Sequence, residues 1–321
     1  MRIHLIGEAG NHRDELLEYL QTPAEIVAQP VEAATDDAFD SDIAPDDVVV
    51  SLRFSRSDAQ APAFRLLHVP GAGLDRIDQS CLRPGTEICN VFEHEVPIAE
   101  YVLTCILESA LRLDDARAAF TTETWASVYR DRPLHGEVAG KRLGILGYGR
   151  IGRAIAARAR AFGMDVVPID VFADNITVWG IDRLPELLET VDFIVVALPL
   201  TPETAGLLGE TQLALLRSEA ILINISRAEV VDEHALYAAL SAQRIAGAFL
   251  DVWYRYPEGT SDSPPPSSEP LLALPNVWGT PHISAWTTEL PARRYRIVAE
   301  NINRLANGEE LVNRITRRTT A

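Results

Sequence analysis

Between Leu143 and Arg153 the chain reads Leu-Gly-Ile-Leu-Gly-Tyr-Gly-Arg-Ile-Gly-Arg, spacing Gly147, Gly149 and Gly152 as G-x-G-x-x-G. No other stretch restricts the fold as much. Glycine-rich turns match that spacing often, and context is what narrows it. An apolar run, 142–146, enters the turn, and an amphipathic run, 151–162, leaves it. Strand, tight turn and helix in that order form the phosphate-binding corner of a dinucleotide fold. Gly147 permits the turn, Gly149 lets a pyrophosphate approach the backbone, and Gly152 lets helix and sheet pack closely. The helix start offers N–H groups and a favourable dipole to phosphate. The stretch Gly147, Tyr148, Gly149, Arg150, Ile151, Gly152 is therefore assigned to a cofactor. Asp170 ends the next apolar run, eighteen residues after Gly152. That is the place of an acid that binds ribose hydroxyls, and its charge would repel a 2′-phosphate, so NAD is expected over NADP.

From Lys141 onward, short apolar runs alternate with helical patterns. Strands are expected at 142–146, 166–169, 193–196, 221–224, 247–250 and 277–279, with helices at 151–162, 185–191, 210–217 and 233–240. Such alternation argues for a doubly wound parallel sheet. The first hundred residues show a looser alternation, with strands expected at 2–6, 48–52, 66–69 and 87–89. The acidic stretch Asp36 to Asp42 reads as a solvated loop. A helix over 98–111 leads into the glycine-bearing region, and a last helix over 287–306 is placed to cross back to the first. The Pro/Ser-rich stretch Gly259 to Pro270 can form neither helix nor central strand.

A chain of 321 residues has room for two cores, and 47% hydrophobic with 23% charged residues is ordinary globular composition. The formal charge of -17 argues against nucleic acid, whose phosphates need clustered cations. No apolar run approaches the roughly 18 residues of a membrane span. The start MRIHLIGEAG is too short in apolar residues for a signal peptide, so the cytoplasm is the expected location. Cys81, Cys89 and Cys105 lack metal or redox spacing and read as reduced core thiols. The single lysine, Lys141, enters a strand, which disfavours Schiff-base chemistry. G-x-S-x-G, H-E-x-x-H and paired C-x-x-C are all missing, which disfavours hydrolase and zinc readings.

Ligands of such sheets bind beyond the carboxyl ends of the strands. Arg227, Asp251 and His282 each follow an expected strand there. A guanidinium holds a carboxylate by two parallel hydrogen bonds, and a histidine exchanges a proton near neutral pH. Singly, Arg227 reads as well as a surface ion pair and His282 as a satisfied strand-end histidine. Together, downstream of a nucleotide fingerprint, they read as hydride transfer to a 2-keto acid.

At these residues the chain resembles the D-isomer-specific 2-hydroxyacid dehydrogenases. The resemblance is carried by Leu222 to Glu233, Ala248 to Val252, Pro275 to His282, Val69 to Asp78, Ile98-Ala-Glu-Tyr101 and Leu198-Pro-Leu-Thr-Pro-Glu-Thr204. It implies an α/β chain of two Rossmann-like doubly wound parallel-sheet domains with a cleft between them. Residues 1–98 plus 288–321 would form the substrate domain and 99–287 the NAD-binding domain. It also implies a homodimer acting on a small-molecule 2-hydroxy or 2-keto acid. Backbone amides at Ala72 and Gly73 would meet the substrate carboxylate alongside Arg227, and His282 would protonate the carbonyl oxygen. Asp251 would sit near the carboxamide, and Leu198, Pro199, Thr204 and Ile225 would line the cofactor. A regulatory domain, carried by some relatives, is not expected beyond the last helix.

One departure stands out. The family places a glutamate five residues after the aspartate of its Leu-Asp-Val signature, where it raises the pKa of the catalytic histidine. Here Tyr256 stands there, within Asp251-Val-Trp-Tyr-Arg-Tyr-Pro257. A phenol can hydrogen-bond imidazole but adds no charge to stabilise imidazolium, so the pKa of His282 is expected to fall. Tyr256 is expected to orient His282 through its hydroxyl, with Glu258 as a substitute carboxylate. Ala228 replaces a glycine and Trp286 a small residue, so a remodelled aromatic pocket is expected, Trp253 being more a core residue than a pocket wall. Arg53 is a second candidate cation for the substrate. The missing glutamate keeps an alternative in view, an NAD(H)-binding sensor or association module with little catalysis.

Overall fold

The structure is a computed structural model that describes residues 1–57, 60–171, 177–257 and 262–316. The chain divides into two compact units, one formed by Met1–Glu93 and the residues from Thr287 on, the other by His94–Trp286.

The first unit is built on five parallel strands, β1 (Arg2–Ile6), β2 (Glu25–Gln29), β3 (Val48–Val50), β4 (Leu66–His68) and β5 (Glu87–Cys89). Their order is β2-β1-β3-β4-β5. β2, an edge strand mostly half-exposed or exposed, is absent from the strands expected above, its apolar run being only Ile26 to Ala28. Period-2 alternation sends Leu5, Val48, Val50 and Leu66 to one face and Ile6, Val49, Leu67 and Ile88 to the other. The helix Leu290–Asn307 covers the first face with Tyr295, Val298, Ala299 and Ile302. The acidic stretch is not a plain loop. Residues Asp37–Asp42 form a 3-10 turn, and Asp40 meets the buried Arg56 guanidinium, which also donates to the carbonyls of Ala33 and Ala34.

The second unit carries β6 (Arg142–Leu146), β7 (Asp165–Ile169), β8 (Phe193–Val196), β9 (Ile221–Asn224), β10 (Gly247–Leu250) and β11 (Val277–Gly279). All pair in parallel, in the order β11-β10-β9-β8-β6-β7. The chain reverses its direction of winding at β6, and the carboxyl end of β6 is where such sheets take a ligand. Strands β8 to β10 are buried on both faces, which explains their unbroken apolar runs. The helices Glu95–Leu111 and Arg150–Ala161 pack together on one face, starting three residues and one residue earlier than expected.

All three cysteines are free and buried. Burial pushes the Cys89 and Cys105 thiols up to about 12, which keeps them protonated and unreactive. Among the described residues no helix is long and apolar enough to cross a membrane, and no cluster of three potential metal ligands forms.

Candidate active site

The glycine corner joins β6 to the helix Arg150–Ala161. Gly147 has φ of +99°, and a Cβ there would lie 2.7 Å from the Ala197 carbonyl oxygen. A Cβ on Gly152 would lie 2.1 Å from the Gly147 oxygen, so helix and turn touch backbone to backbone. Gly149 differs from both, since a Cβ there would meet nothing within 4 Å. The fold does not need that residue to be bare, whereas a pyrophosphate approaching the turn does. Among the described residues no side chain caps the helix, which leaves its first N–H groups for phosphate oxygens. Asp170 follows β7, and its Oδ2 accepts the Tyr148 N–H at 2.7 Å. The carboxylate thus braces the turn. The corner fits a dinucleotide.

Because all six strands run parallel, the loops after β8, β9, β10 and β11 leave at the same edge as this corner. After β8, Leu198 is buried and Pro199 exposed. The Thr204 hydroxyl donates to the Pro199 carbonyl at 2.6 Å and accepts the Thr201 N–H at 2.8 Å, closing the loop on itself. Ile225, at the end of β9, is buried. Asn224 then builds a side-chain turn. Its Oδ1 accepts the Ser226 N–H at 3.2 Å, and its amide donates to the Arg227 carbonyl at 3.0 Å. That turn presents Arg227, half-buried, at the edge of the sheet.

His282 follows β11 in a left-handed conformation, φ +60°, unusual for a residue with a Cβ. Beneath its loop Asp251 is completely buried. Asp251 Oδ1 accepts the Thr280 hydroxyl at 2.5 Å and the Ile283 N–H at 2.8 Å, and Oδ2 accepts the Ser284 N–H at 2.9 Å. Asp251, expected beside a carboxamide, is a clamp for the loop that carries the histidine. Tyr101, on the helix Glu95–Leu111, lies 2.7 Å from the Thr280 hydroxyl and completes a buried chain of polar groups. Since the Thr280 hydrogen goes to Asp251, the Tyr101 hydroxyl is the donor of that pair.

Tyr256 lies where the carboxylate of the resemblance would be. Its hydroxyl is 2.8 Å from His282 Nδ1 and accepts the Trp253 main-chain N–H at 3.1 Å. Tyr254 points elsewhere, donating to the Val231 carbonyl at 2.8 Å from a half-buried position whose desolvation raises its pKa. Trp253 is buried, Ala228 is buried, and Trp286 is 68% exposed. Glu258 lies outside the described residues.

In the first unit, Ala72 and Gly73 follow β4, and the Asn90 amide donates to the Ala72 carbonyl at 2.9 Å, holding that loop. Arg53, after β3, has its Nε buried with no hydrogen-bond partner among the described residues. The sequence alone gives no site role to Asn224, Thr280 or Tyr101 and reads Trp253 as a core residue. Thr280 and Tyr101 lie in family-like motifs, but only the folded chain shows that their hydroxyls meet and that Thr280 passes the contact on to Asp251.

The chain matches the model of the "D-isomer specific 2-hydroxyacid dehydrogenase, NAD binding domain" over residues 103–284. It is 35% identical over 257 residues to a D-3-phosphoglycerate dehydrogenase of Methanocaldococcus jannaschii, covering 78% of this chain and 47% of that one. It therefore spans about half the length of that relative. A glyoxylate reductase of Korarchaeum cryptofilum is 35% identical over 276 residues, covering 82% of this chain and 80% of that protein. Among solved structures, a 2-hydroxyacid dehydrogenase from Ketogulonicigenium vulgare Y25 superposes with a TM-score of 0.76 at 25% identity, covering 98% of both chains.

Proposed function

This chain belongs to the D-isomer specific 2-hydroxyacid dehydrogenases, and from that premise we propose that it interconverts a small 2-keto acid and its 2-hydroxy acid. One observation carries the reading. Arg227 and His282 leave the carboxyl edge of the same parallel sheet whose glycine corner fits NAD. Gly147 to Gly152 and Asp170 hold the cofactor, with Leu198, Pro199, Thr204 and Ile225 beside it. When bound, the reduced cofactor supplies a hydride to the carbonyl carbon. Arg227 holds the carboxylate through its planar fork. His282 gives a proton to the carbonyl oxygen during reduction and takes it back during oxidation. Tyr256 orients the ring through Nδ1, but its neutral hydroxyl favours imidazolium less than a carboxylate would. Ala72 and Gly73 are proposed as further substrate contacts on the strength of the resemblance, Arg53 on its place after β3, and Trp286 as a departure from the family pattern. A cytoplasmic homodimer belongs to the same proposal.

The test is NADH-dependent reduction of a panel including glyoxylate, hydroxypyruvate and larger aromatic or branched keto acids, from about pH 5 to 8. Reduction that strengthens towards acid supports the reading. Tight NADH binding with no turnover anywhere on the panel counts against it and favours a cofactor sensor.

A further inference from the structure

Trp253 touches both groups that seat His282. Its main-chain N–H donates to the Tyr256 hydroxyl at 3.1 Å, and that hydroxyl is 2.8 Å from Nδ1 of the histidine. Its indole Nε1–H donates to the Thr280 carbonyl at 2.9 Å, and the same carbonyl accepts the main-chain N–H of His282 at 3.0 Å. The ring itself is wedged against β11. A Cβ on Gly279 would lie 2.7 Å from Trp253 Cζ2, so glycine is what admits the indole there.

A histidine at φ +60° costs on the order of 1 kcal/mol, and such a residue stays in place only where its neighbours over-determine it. Here the neighbours act from two sides. Asp251 holds the amides of Ile283 and Ser284, after the histidine. Trp253 holds the carbonyl of Thr280, before it. Hydrocarbon packing alone would need no N–H at that point of the ring. A buried indole N–H aimed at the carbonyl two residues ahead of the histidine ties the core to the reacting group.

We propose that Trp253 is a positioning residue for His282, fixing the Thr280 turn through its indole N–H and the Tyr256 hydroxyl through its main-chain N–H. The inference rests on the reading of His282 as the proton-exchanging group. Misplacement of such a group lowers the rate of the chemical step more than it weakens binding.

The experiment compares wild type with Trp253→Phe, which keeps a ring and loses the N–H. Trp278→Phe serves as the control, because Trp278 stacks on Phe249 at 4.7 Å in the same sheet and, among the described residues, its side chain makes no hydrogen bond to the histidine turn. Steady-state reduction, NADH affinity, thermal unfolding and the ring ¹⁵N resonances of His282 are followed in all three. The expected result for Trp253→Phe is a fall in kcat of about tenfold, KM and NADH affinity within about twofold, and displaced His282 resonances. Unchanged kcat with unchanged resonances overturns the inference. So does an equal fall in kcat in the control at matched loss of stability. If the wild type reduces no keto acid, the dehydrogenase reading fails, and the resonances alone then decide whether Trp253 seats the histidine.

Discussion

Two turns at the carboxyl edge of one sheet are built in opposite ways. The turn after β6 works by what its residues lack, since Gly147 and Gly152 leave no room for a Cβ and Gly149 leaves room for a ligand. The turn after β11 works by what surrounds it, a set of hydrogen bonds from Asp251, Trp253 and Tyr256 that converges on His282. The first is written in six consecutive residues. The second joins two segments, Asp251 to Tyr256 and Thr280 to Ser284, about thirty residues apart, and no short motif spells it. Chemistry that needs only a backbone cradle can be encoded locally, whereas a proton donor held in a costly conformation needs support from afar.

The sharpest way to break that comparison is at the glycines. Gly152→Val would drive side-chain atoms into the Gly147 carbonyl and should cost several kcal/mol, read as a large drop in thermal stability. Gly149→Ala has open space, so it should fold with a near-native unfolding midpoint and lose NADH affinity by about tenfold or more. If the two behaved alike in calorimetry, the distinct roles of these glycines would be lost.

Acid acts on the fold as well as on the site. His68 is fully buried in β4, 2.9 Å from the Asn301 amide, and burial lowers its pKa from 6.5 to about 3. Between those values the unfolded chain takes up a proton that the folded chain refuses. The stabilisation is therefore complete above pH 6.5 and erodes as the pH falls towards 3, by several kcal/mol in total. Chemical denaturation at pH 7 and pH 4.5 checks this, with His68→Gln expected to flatten the difference. Activity lost in acid by unfolding is thereby separated from a change at His282.

The buried clamp comes next. In Asp251→Asn an amide would face N–H donors with an N–H of its own, at a cost of about 2 to 3 kcal/mol. The His282 turn should loosen with it, so kcat should fall while NADH still binds. An Asp251→Asn enzyme of normal stability would show that the clamp is slack.

Tyr256→Phe removes the contact at Nδ1 and should lower kcat by about tenfold, roughly 1.4 kcal/mol. Tyr256→Glu should do the reverse at neutral pH. Its carboxylate stabilises imidazolium, so the pH above which reduction declines should move upward. A pH profile identical in wild type and both variants would remove Tyr256 from the chemistry. The smallest effect is expected from Asp170→Asn, which keeps a polar brace for Tyr148 but removes the charge, and should improve NADPH binding a few-fold relative to NADH.

How much of this was legible in the sequence varied with range. Strands β8, β9 and β10 of the NAD-binding unit were readable because buried parallel strands are continuous apolar runs bounded by turns. The edge strand β2 was not, its apolar run being only Ile26 to Ala28. Arg227, Asp251 and His282 could be named from their places after strands. The work of Asp251 could not, since its partners Thr280, Ile283 and Ser284 lie about thirty residues away in sequence. Trp253 read as a core residue, and it is one, but only the structure shows its indole N–H under the histidine turn.

By itself the sequence determined the parallel sheet, the glycine corner and the replacement of a carboxylate by Tyr256. Those are matters of steric space, apolar periodicity and residue identity, all local to a few consecutive positions. Only the tertiary structure decided that Tyr256 meets Nδ1 of His282, and that Asp251 and Trp253 fix the turn between them. Hydrogen bonds depend on distances and directions of a few tenths of an ångström between segments far apart in the chain, and those exist only once β10 and β11 lie side by side.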